Sequence, residues 1–271
     1  MKKICLLFLS LLFILSGCQS DHETDRLIID ILEIGKADCI IIRYNRNTTV
    51  IDTGEAENLP TVLAYFQKER IDTVDTLILS HFDKDHIGGA EELLKNLKVK
   101  QVIESTFSST REEYDRYHKM IQEKNIPLYQ ITEAKIVTND SFSFTVLPPK
   151  KNSYEKKEDN NASLIVDFAF GQQRFLFCGD AMELRLKEFI SENKTQYDFV
   201  KIPYHGNQLD CFSEFLTSVR CSYAAICNSH KNPSAEETQT LLRQFNVDFY
   251  ETKNGQIRLT SDGKTIKMEQ F

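Results

Sequence analysis

The sequence has little glycine and proline, ten and six residues among 271, and no tract of biased composition. These absences exclude a collagen-like repeat, a long disordered arm and a coiled coil. No similarity recurs with a period of about 20–50 residues, which argues against a solenoid or a propeller. With 41% hydrophobic residues, the chain has enough apolar material for one large domain or at most two small ones.

Strongly basic segments are also missing. The chain carries 33 Lys and Arg against 40 Asp and Glu, which gives a formal net charge of −7. Nucleic-acid binding that depends on a broad cationic face and the release of counterions is therefore not expected. Any contact with nucleic acid would have to rely on metal ions and a local patch.

The seven cysteines contain no Cys-x-x-Cys pair and no zinc-finger spacing. Five of them follow the amino-terminal segment, and an odd number outside the cell leaves at least one thiol unpaired. Cys39 and Cys178 lie in apolar runs and are predicted to be buried as small hydrophobic residues. Whether Cys211, Cys221 and Cys227 form a disulfide is left open.

The first 17 residues differ in composition from all the others. Lys2 and Lys3 precede an apolar run, Ile4–Leu15, which gives way to small residues and Cys18. This order is typical of a secretory signal peptide, and the run is shorter than the ~20 residues that cross a bilayer. It resembles the bacterial lipobox, in which the peptide is cut before a cysteine that carries a lipid. An ordinary signal peptide or an uncleaved anchor is the alternative.

These features predict four segments. A signal peptide covers residues 1–17, a lipid is attached to Cys18, a polar tether covers 18–26, and a single domain covers 27–271. The domain would then stand on the extracytoplasmic face of the bacterial cell membrane, with that membrane as its partner through the lipid anchor.

Thirteen short runs rich in Ile, Val, Leu and Phe have the length and β-branched content of strands. They are Leu27–Ile34, Cys39–Tyr44, Thr48–Ile51, Thr76–Leu79, Lys100–Ile103, Ser143–Leu147, Leu164–Phe170, Arg174–Cys178, Phe199–Ile202, Tyr223–Cys227, Val247–Tyr250, Gln256–Thr260 and Thr265–Met268. Hairpins followed by strands interleaved with helices predict an α/β (α+β) domain with sheets in the middle and helices outside.

Six segments between these strands predict helices. Four of them are residues 59–69, 88–97, Met182–Glu192 and Phe212–Val219. The other two begin at Thr110-x-x-Glu113 and Ser234-x-x-Glu237, which look like capping boxes. The polar stretch Pro148–Asn161 predicts an exposed loop.

Four of the predicted strands end in residues suited to metal binding. The endings are Asp52-Thr53-Gly54, Ser80–Gly89, Gly179-Asp180 and His205-Gly206. Strands that run in the same direction place such ends on one rim of a sheet. Carboxylates and imidazoles suit Zn²⁺ or a harder ion such as Mn²⁺.

The strongest motif is His81-x-Asp83-x-Asp85-His86, followed by two glycines. Four potential ligands within six residues can surround one or two ions if the backbone turns tightly, and the alternative is a charged loop of solvated side chains. The glycines permit a helix to start close by.

The other candidates gain weight from their position at strand ends. Asp180 and His205 are weak signals alone, because a polar residue after a strand is more often part of a turn. Asp52 is predicted to orient its neighbours by hydrogen bonds. His230 follows a strand and either reaches the same rim or is a loop residue without function. His118 is predicted to pack in the core.

Together, these residues resemble the metallo-β-lactamase superfamily, and more closely the hydrolase domain of the ComEC/Rec2 competence-protein family. The likeness extends from Leu27 to the C-terminus. Six motifs follow the family's order: Leu32–Cys39, Val50–Gly54, Ser80–Gly89, Asn161–Leu164, Phe177–Asp180 and Lys201–Gly206. The resemblance implies a four-layer αβ/βα sandwich, with two sheets face to face, helices outside and the active site on one edge.

The resemblance also implies one or two divalent metal ions, with zinc as the first expectation and manganese as the second. His81 and Asp83 would hold the first ion, and Asp180 would bridge the two ions. The second ion would be held by Asp85, His86 and His205. Asp85 and Asp180 are the catalytic candidates among these ligands. A cation held by them lowers the pKa of bound water toward ~7 and makes that water nucleophilic.

Three positions depart from the family pattern. Asp83 replaces a histidine, and Asp159-Asn160-Asn161 offers no third histidine to the first site, so that Asp159 and Asn161 are weak candidates there. Asn232-Pro233 stands where a His-Pro is common, with His230 as a candidate substitute. An oxygen-rich site would shift the preference from Zn²⁺ toward Mn²⁺ or Mg²⁺.

Three functions are compatible with these features. The first is a cell-surface hydrolase of phosphodiesters such as DNA, which the motifs favour and the lack of a basic face disfavours. The second is a hydrolase of a small ester, lactone or β-lactam, because fold alone does not select the substrate. The third is a non-catalytic, metal-binding surface lipoprotein. The sequence indicates no protein partner.

Overall fold

The computed structural model describes residues 26–139, 141–155 and 158–271, and the predicted signal peptide, Cys18 and the tether up to residue 25 lie outside them. The strands are β1 (Leu27–Ile31), β2 (Ile40–Tyr44), β3 (Asn47–Ile51), β4 (Thr73–Val74), β5 (Thr76–Leu79), β6 (Lys98–Val99), β7 (Val102–Ser105), β8 (Leu128–Ile131), β9 (Lys135–Thr138), β10 (Phe142–Leu147), β11 (Ile165–Phe170), β12 (Gln173–Phe177), β13 (Phe199–Lys201), β14 (Tyr223–Ile226), β15 (Asp248–Glu251), β16 (Ile257–Ser261) and β17 (Ile266–Gln270).

The helices are α1 (Leu59–Lys68), α2 (Lys84–Ile87), α3 (Ala90–Asn96), α4 (Glu112–Glu123), α5 (Glu158–Asn161), α6 (Glu183–Glu192), α7 (Phe212–Val219) and α8 (Glu236–Gln244). In the described part of the chain, no helix is both long and apolar enough to cross a membrane.

Two sheets carry the fold. The first has eight strands in the order β17-β16-β1-β2-β3-β5-β7-β8, and the second has seven in the order β15-β14-β13-β12-β11-β10-β9. In the first sheet β3, β5, β7 and β8 run parallel, and in the second β12 to β15 run parallel. Each sheet therefore presents the carboxyl ends of several strands at one edge.

Three apolar clusters hold the layers together. The first fills the space between the sheets and includes Ile29, Phe168 and Phe175. The second joins the first sheet to α1, α3 and α4, and the third joins the second sheet to α6, α7 and α8. Burial of each large apolar side chain contributes about 1.5–3 kcal/mol. The predicted four-layer αβ/βα sandwich is thereby confirmed.

Some local predictions were wrong. Helices α4 and α8 have no side-chain N-cap. Before α8, Ser234 donates instead to the buried Glu251 carboxylate, with 2.6 Å between Oγ and Oε1. The stretch Pro148–Asn161 is not wholly an exposed loop, since α5 forms its end and both Tyr154 and Asn161 are buried. The five cysteines of the described chain are free and buried, so none of them pairs.

Candidate metal centre

The four polar strand ends meet at one edge of the sandwich. Asp52 follows β3, His81 follows β5, Asp180 follows β12 and His205 follows β13. Because β3 pairs in parallel with β5, and β12 with β13, the two carboxyl ends in each sheet point the same way. Each sheet thus contributes two loops to one site.

The segment after β5 forms the first half of this site. His81 is fully buried, and the chain then turns into α2, which carries Asp85 and His86. The backbone N–H of His86 donates to the carbonyl of Asp83 at 2.9 Å. This tight turn returns the ring of His86 beside that of His81, and the ring centroids are 4.1 Å apart.

Gly88 and Gly89 let this turn pack against neighbouring backbone. A Cβ atom at Gly88 would lie 2.5 Å from the carbonyl oxygen of Lys84, and one at Gly89 would lie 2.5 Å from that of Thr53. The Thr53 N–H donates to the His86 carbonyl at 2.7 Å, which fixes the contact. A larger residue at either glycine would therefore displace His86.

The second sheet supplies its ligands from turns with left-handed backbone. Gly179 has φ +51°, and a Cβ atom there would lie 2.8 Å from Ser80 Oγ, so the residue before Asp180 must be small. His205 itself has φ 53°, a conformation that costs a non-glycine residue roughly 1–2 kcal/mol. Its Nδ1 is 3.1 Å from the carbonyl oxygen of Cys227. Strain of this kind is concentrated at functional sites.

Imidazole and carboxylate atoms from the two halves converge on Asp180. His86 Nε2 lies 3.4 Å from Asp180 Oδ1, and His205 Nε2 lies 2.9 Å from Asp180 Oδ2. His205 Nε2 is also 3.3 Å from Asp85 Oδ2. Asp180 therefore contacts both histidines of the predicted second site, and it also groups with His81 and His86.

Several atoms facing this space make no hydrogen bond of suitable geometry with the described residues, despite the short distances between them. They are Nε2 of His81, His86 and His205 and Oδ1 of Asp180, all buried, although an unpaired buried polar atom costs about 1–3 kcal/mol. Two sets, His81/His86/Asp180 and Asp85/His86/His205, each place their ligand atoms within 4.8 Å of one another. Zinc binds imidazole nitrogen at ~2.0–2.1 Å, so these residues fit one or two divalent cations.

The second ring nitrogen of each histidine is held in place. Nδ1 of His86 lies 2.8 Å from Asp52 Oδ2, and Nδ1 of His81 lies 3.1 Å from Ser80 Oγ. Asp52 is fixed in turn, because its carboxylate accepts the Ser80 N–H at 2.8 Å and the Ser80 hydroxyl at 2.7 Å. Together with the carbonyl beside His205, these contacts leave each Nε2 available to a cation.

Opposite charges dominate the electrostatics of the centre. Burial alone would lower the pKa of His205, but Asp180 and Asp85 outweigh it and raise that pKa to about 9. Burial would also lower the pKa of His86, but Asp180 and Asp52 outweigh it and raise that pKa well above the usual value. Burial would raise the pKa of Asp180, but His205 and His86 lower it well below its usual range. The carboxylates thus attract positive charge strongly, whether a proton or a cation.

Two buried charges behind the centre were not predicted from the sequence. Lys201 is fully buried, and its ammonium contacts the Asp38 carboxylate and lies 3.7 Å from Asp180 Oδ1. Asp38 in turn lies 3.9 Å from His86 Nδ1. Both residues belong to motifs of the family resemblance, and that membership was the only signal that could have identified them.

Two partly exposed cations flank the centre and were also missed. Lys36 Nζ lies 2.7 Å from Asp85 Oδ2, and Arg111 pairs with Asp83. Their side chains are 40% and 36% exposed. Lys36 lies in the loop after β1 and Arg111 lies directly before α4, so neither is near the ligand motif in sequence.

The candidates for the first metal site lie at its margin. Asp83 Oδ2 is 3.6 Å from His81 Nε2. Asp159 is directed toward Arg111, at 3.5 Å. Asn161 Oδ1 accepts the N–H of Arg185 at 3.1 Å. The structure thus brings Asp83 to the centre, whereas Asp159 lies beside the Arg111 guanidinium and Asn161 accepts the backbone N–H of Arg185.

Two further histidines lie apart from the centre. His230 is exposed, and it belongs to none of the ligand groups found in the described ranges. His118, which was predicted to pack in the core, is 20% exposed, and its Nε2 lies 3.0 Å from Glu104 Oε1. It therefore makes a polar contact on α4, because the Glu104 carboxylate at the end of β7 is buried and takes polar partners.

Comparison with known proteins is consistent with this geometry. The chain is 24% identical to "ComE operon protein 3" of Bacillus subtilis (strain 168) over 94% of its length and 35% of that protein. It is 24% identical to "Recombination protein 2" of Haemophilus influenzae over 83% of its length and 29% of that protein. The chain thus spans about a third of the length of the curated relatives it matches.

The solved structure of the metallo-beta-lactamase fold protein YhfI from Bacillus subtilis shares the fold, with a TM-score of 0.58. The alignment covers 90% of this chain and all of YhfI at 11% identity. The sequence model of the metallo-beta-lactamase superfamily matches residues 33–230, a range that includes every candidate ligand of the centre. The chain therefore belongs to the metallo-β-lactamase superfamily, resembles its ComEC/Rec2 branch, and is a metal-dependent hydrolase at the level of that family.

Proposed function

We propose that this protein hydrolyses phosphodiester bonds, with DNA strands as the substrate, at the cell surface. The likeness to two proteins named for the ComE operon and for recombination supports a nucleic-acid substrate. The signal peptide and lipid attachment at Cys18, predicted from the sequence, support a location in the cell envelope. Neither argument depends on the overall charge, which is −7.

The pair of cations beside the centre carries the proposal. Lys36 and Arg111 are partly exposed and contact Asp85 and Asp83 respectively. An ionised phosphodiester has negative oxygens that these side chains can bind, whereas a neutral ester or lactone has none. They provide local positive charge directly beside the centre.

The residues of the centre have distinct tasks in this proposal. His81, Asp83, Asp85, His86, Asp180 and His205 hold one or two divalent cations. A cation bound there lowers the pKa of water and stabilises negative charge on the phosphate. The carboxylates of Asp85 and Asp180 accept hydrogen bonds from the attacking water, while Lys36 and Arg111 position the phosphate.

The experiment compares substrates and a variant of the full chain. Protein loaded with Zn²⁺ or Mn²⁺ is tested on single- and double-stranded DNA, on bis(4-nitrophenyl) phosphate and on 4-nitrophenyl acetate, a lactone and a β-lactam. We expect phosphodiester turnover that falls about 10-fold or more in Lys36→Gln, because a charge-assisted hydrogen bond contributes ~1.5–3 kcal/mol.

The exposed Lys68→Gln on α1 is the matched control and should not change turnover. Turnover of the ester with both DNA forms left intact would refute the phosphodiesterase proposal. Metal analysis of the same samples tests the ion, since the oxygen-rich first site favours Mn²⁺. Stoichiometric zinc in both sites after purification without chelator would contradict that preference.

A further inference from the structure

A strongly basic cleft lies on the edge of the first sheet opposite the metal centre. Its lining includes seven cations and only two acids, Glu69 and Asp72. The cations are Arg26, Arg43, Arg46, Arg70, Lys98, Lys100 and Arg258. We call this set the basic cleft. Such an excess is unusual in a chain whose formal net charge is −7.

Most of the exposed charge in the basic cleft is not neutralised. Arg43 and Arg258 are engaged by Asp30 and Glu69, and Lys100 pairs with Asp75 at 2.5 Å. Four other cations are exposed and form no ion pair with any residue that the structure describes: Arg26, Arg46, Arg70 and Lys98. These four charges are available to an anionic partner.

The basic cleft and the metal centre are separated by the length of the strands. Strand β3 begins at Asn47, beside Arg46 of the cleft, and ends at Ile51, before Asp52 of the centre. Five residues of strand extend ~17 Å. A flat surface that contacts the cleft therefore leaves the metal centre free.

The chain enters the described structure at this cleft. Arg26 lines it, and Arg26 follows Cys18 by only eight positions. An extended chain rises at most ~3.6 Å per residue, so the cleft lies within ~29 Å of any lipid attached at Cys18. Both the predicted lipidation and the alternative of an uncleaved apolar anchor put the cleft near a membrane.

We propose that the basic cleft docks on anionic lipid headgroups of the membrane that anchors the chain. The inference rests on the proposed amino-terminal anchor, but not on the substrate of the metal centre. Anionic headgroups attract basic side chains within about a Debye length, ~8 Å at physiological ionic strength. The remaining acidic surface is repelled, so the domain stands on the cleft and turns the metal centre away from the lipid.

The experiment maps lysine exposure on vesicles. The full chain is reconstituted into vesicles of phosphatidylcholine alone, or of phosphatidylcholine and phosphatidylglycerol in equal parts. A water-soluble acylating reagent then labels lysines, which are quantified by mass spectrometry. On the anionic vesicles we expect Lys98 and Lys100 to be labelled about fivefold more slowly than on the neutral ones. This ratio corresponds to the ~1 kcal/mol by which an anionic membrane surface attracts each basic residue.

Lys231, exposed in the loop after β14, is the internal control and should be labelled equally on both vesicles. The double variant Arg46→Gln/Arg70→Gln should remove the protection of Lys98, and high salt should weaken it in the wild type. Equal labelling of Lys98 and Lys100 on both vesicles overturns the docking inference.

Two outcomes identify other causes. A chain that does not co-float even with neutral vesicles refutes the anchor, and with it the docking inference, but leaves the proposed hydrolase untouched. In the second, short duplex DNA added to neutral vesicles protects Lys98 and Lys100, although anionic vesicles without DNA do not. That result would overturn the proposal of lipid docking and indicate that the basic cleft binds nucleic acid.

Discussion

The two halves of the candidate metal centre are built to different degrees. The closed half, formed by Asp85, His86 and His205, is buried, and its ring nitrogens are fixed by neighbouring groups. The open half, formed by His81 and Asp83, has a carboxylate that is 23% exposed and already paired with Arg111. No third imidazole is offered to the open half by Asp159, which lies beside Arg111, or by Asn161, which accepts the backbone N–H of Arg185.

This difference indicates that the two halves of the centre differ in how well they are suited to hold a cation. Asp180 touches the closed half directly and belongs also to the ligand set of His81. We therefore expect the closed half to bind a cation more tightly than the open half, and the occupancy of the open half to vary more with conditions.

Removal of the shared ligand should have the largest effect. Asp180→Ala leaves both halves without a bridge, so we expect kcat/KM to fall about 10³-fold or more and the bound metal to be lost. Activity assays and inductively coupled plasma mass spectrometry measure both. The matched control is Asp248→Asn, an exposed carboxylate at the start of β15. Retention of metal and activity by Asp180→Ala would show that the centre lies elsewhere.

The next effect separates the two halves. His205→Ala should abolish binding of the tighter ion. His81→Ala should lose only the weaker ion and retain about one ion per chain, because His86 and Asp180 remain available to the closed half. Metal content after stepwise dialysis against a chelator gives the order of loss. An identical loss in the two variants would eliminate the proposed asymmetry.

A smaller effect should follow from loosening the His86 ring. Asp52→Asn removes the carboxylate that holds His86 Nδ1, and such changes typically weaken metal affinity about 10–100-fold. Competition with a fluorescent chelator measures the affinity. Asp75→Asn, at the opposite end of β5, is the control. Unchanged affinity in Asp52→Asn would exclude an orienting role.

The smallest effect should come from freeing the open half. Arg111→Gln removes the cation that pairs with Asp83, so the carboxylate is left for metal and the weaker ion should bind a few-fold more tightly. The same competition assay resolves the change. Arg116→Gln is the control, since Arg116 pairs with Glu91 of α3 and Glu112 of α4, which belong to none of the ligand groups found among the described residues. A decrease in affinity would mean that Arg111 supports the site.

The sequence predicted the fold well where one face of a strand is buried. Strands β10 and β11 alternate apolar and polar residues and were predicted within one residue. The strands β8 and β9 were missed, because each has only four residues and Ile131 is the one side chain of the two strands that is buried, so neither stands out in the sequence as a strand. Ile136 on β9 is 66% exposed.

The metal cluster was predicted because its residues are close in sequence or follow strands. Lys201, Asp38 and Arg111 were not, since their positions beside the centre depend on how segments distant in sequence pack against one another. Lys201 lies within a strand, where a lysine normally points to solvent. No spacing rule reveals that its ammonium is buried against Asp38.

The ligands come from opposite halves of the chain, with His81 and His86 on the first sheet's side and Asp180 and His205 on the second's. Only a chain in which both sheets have assembled offers the complete set, so an ion binds the native state in preference to the unfolded one. The free energy of unfolding should therefore rise with the logarithm of the free ion concentration above its Kd. In this way the supply of metal would govern how long the folded protein persists as well as how fast it turns over.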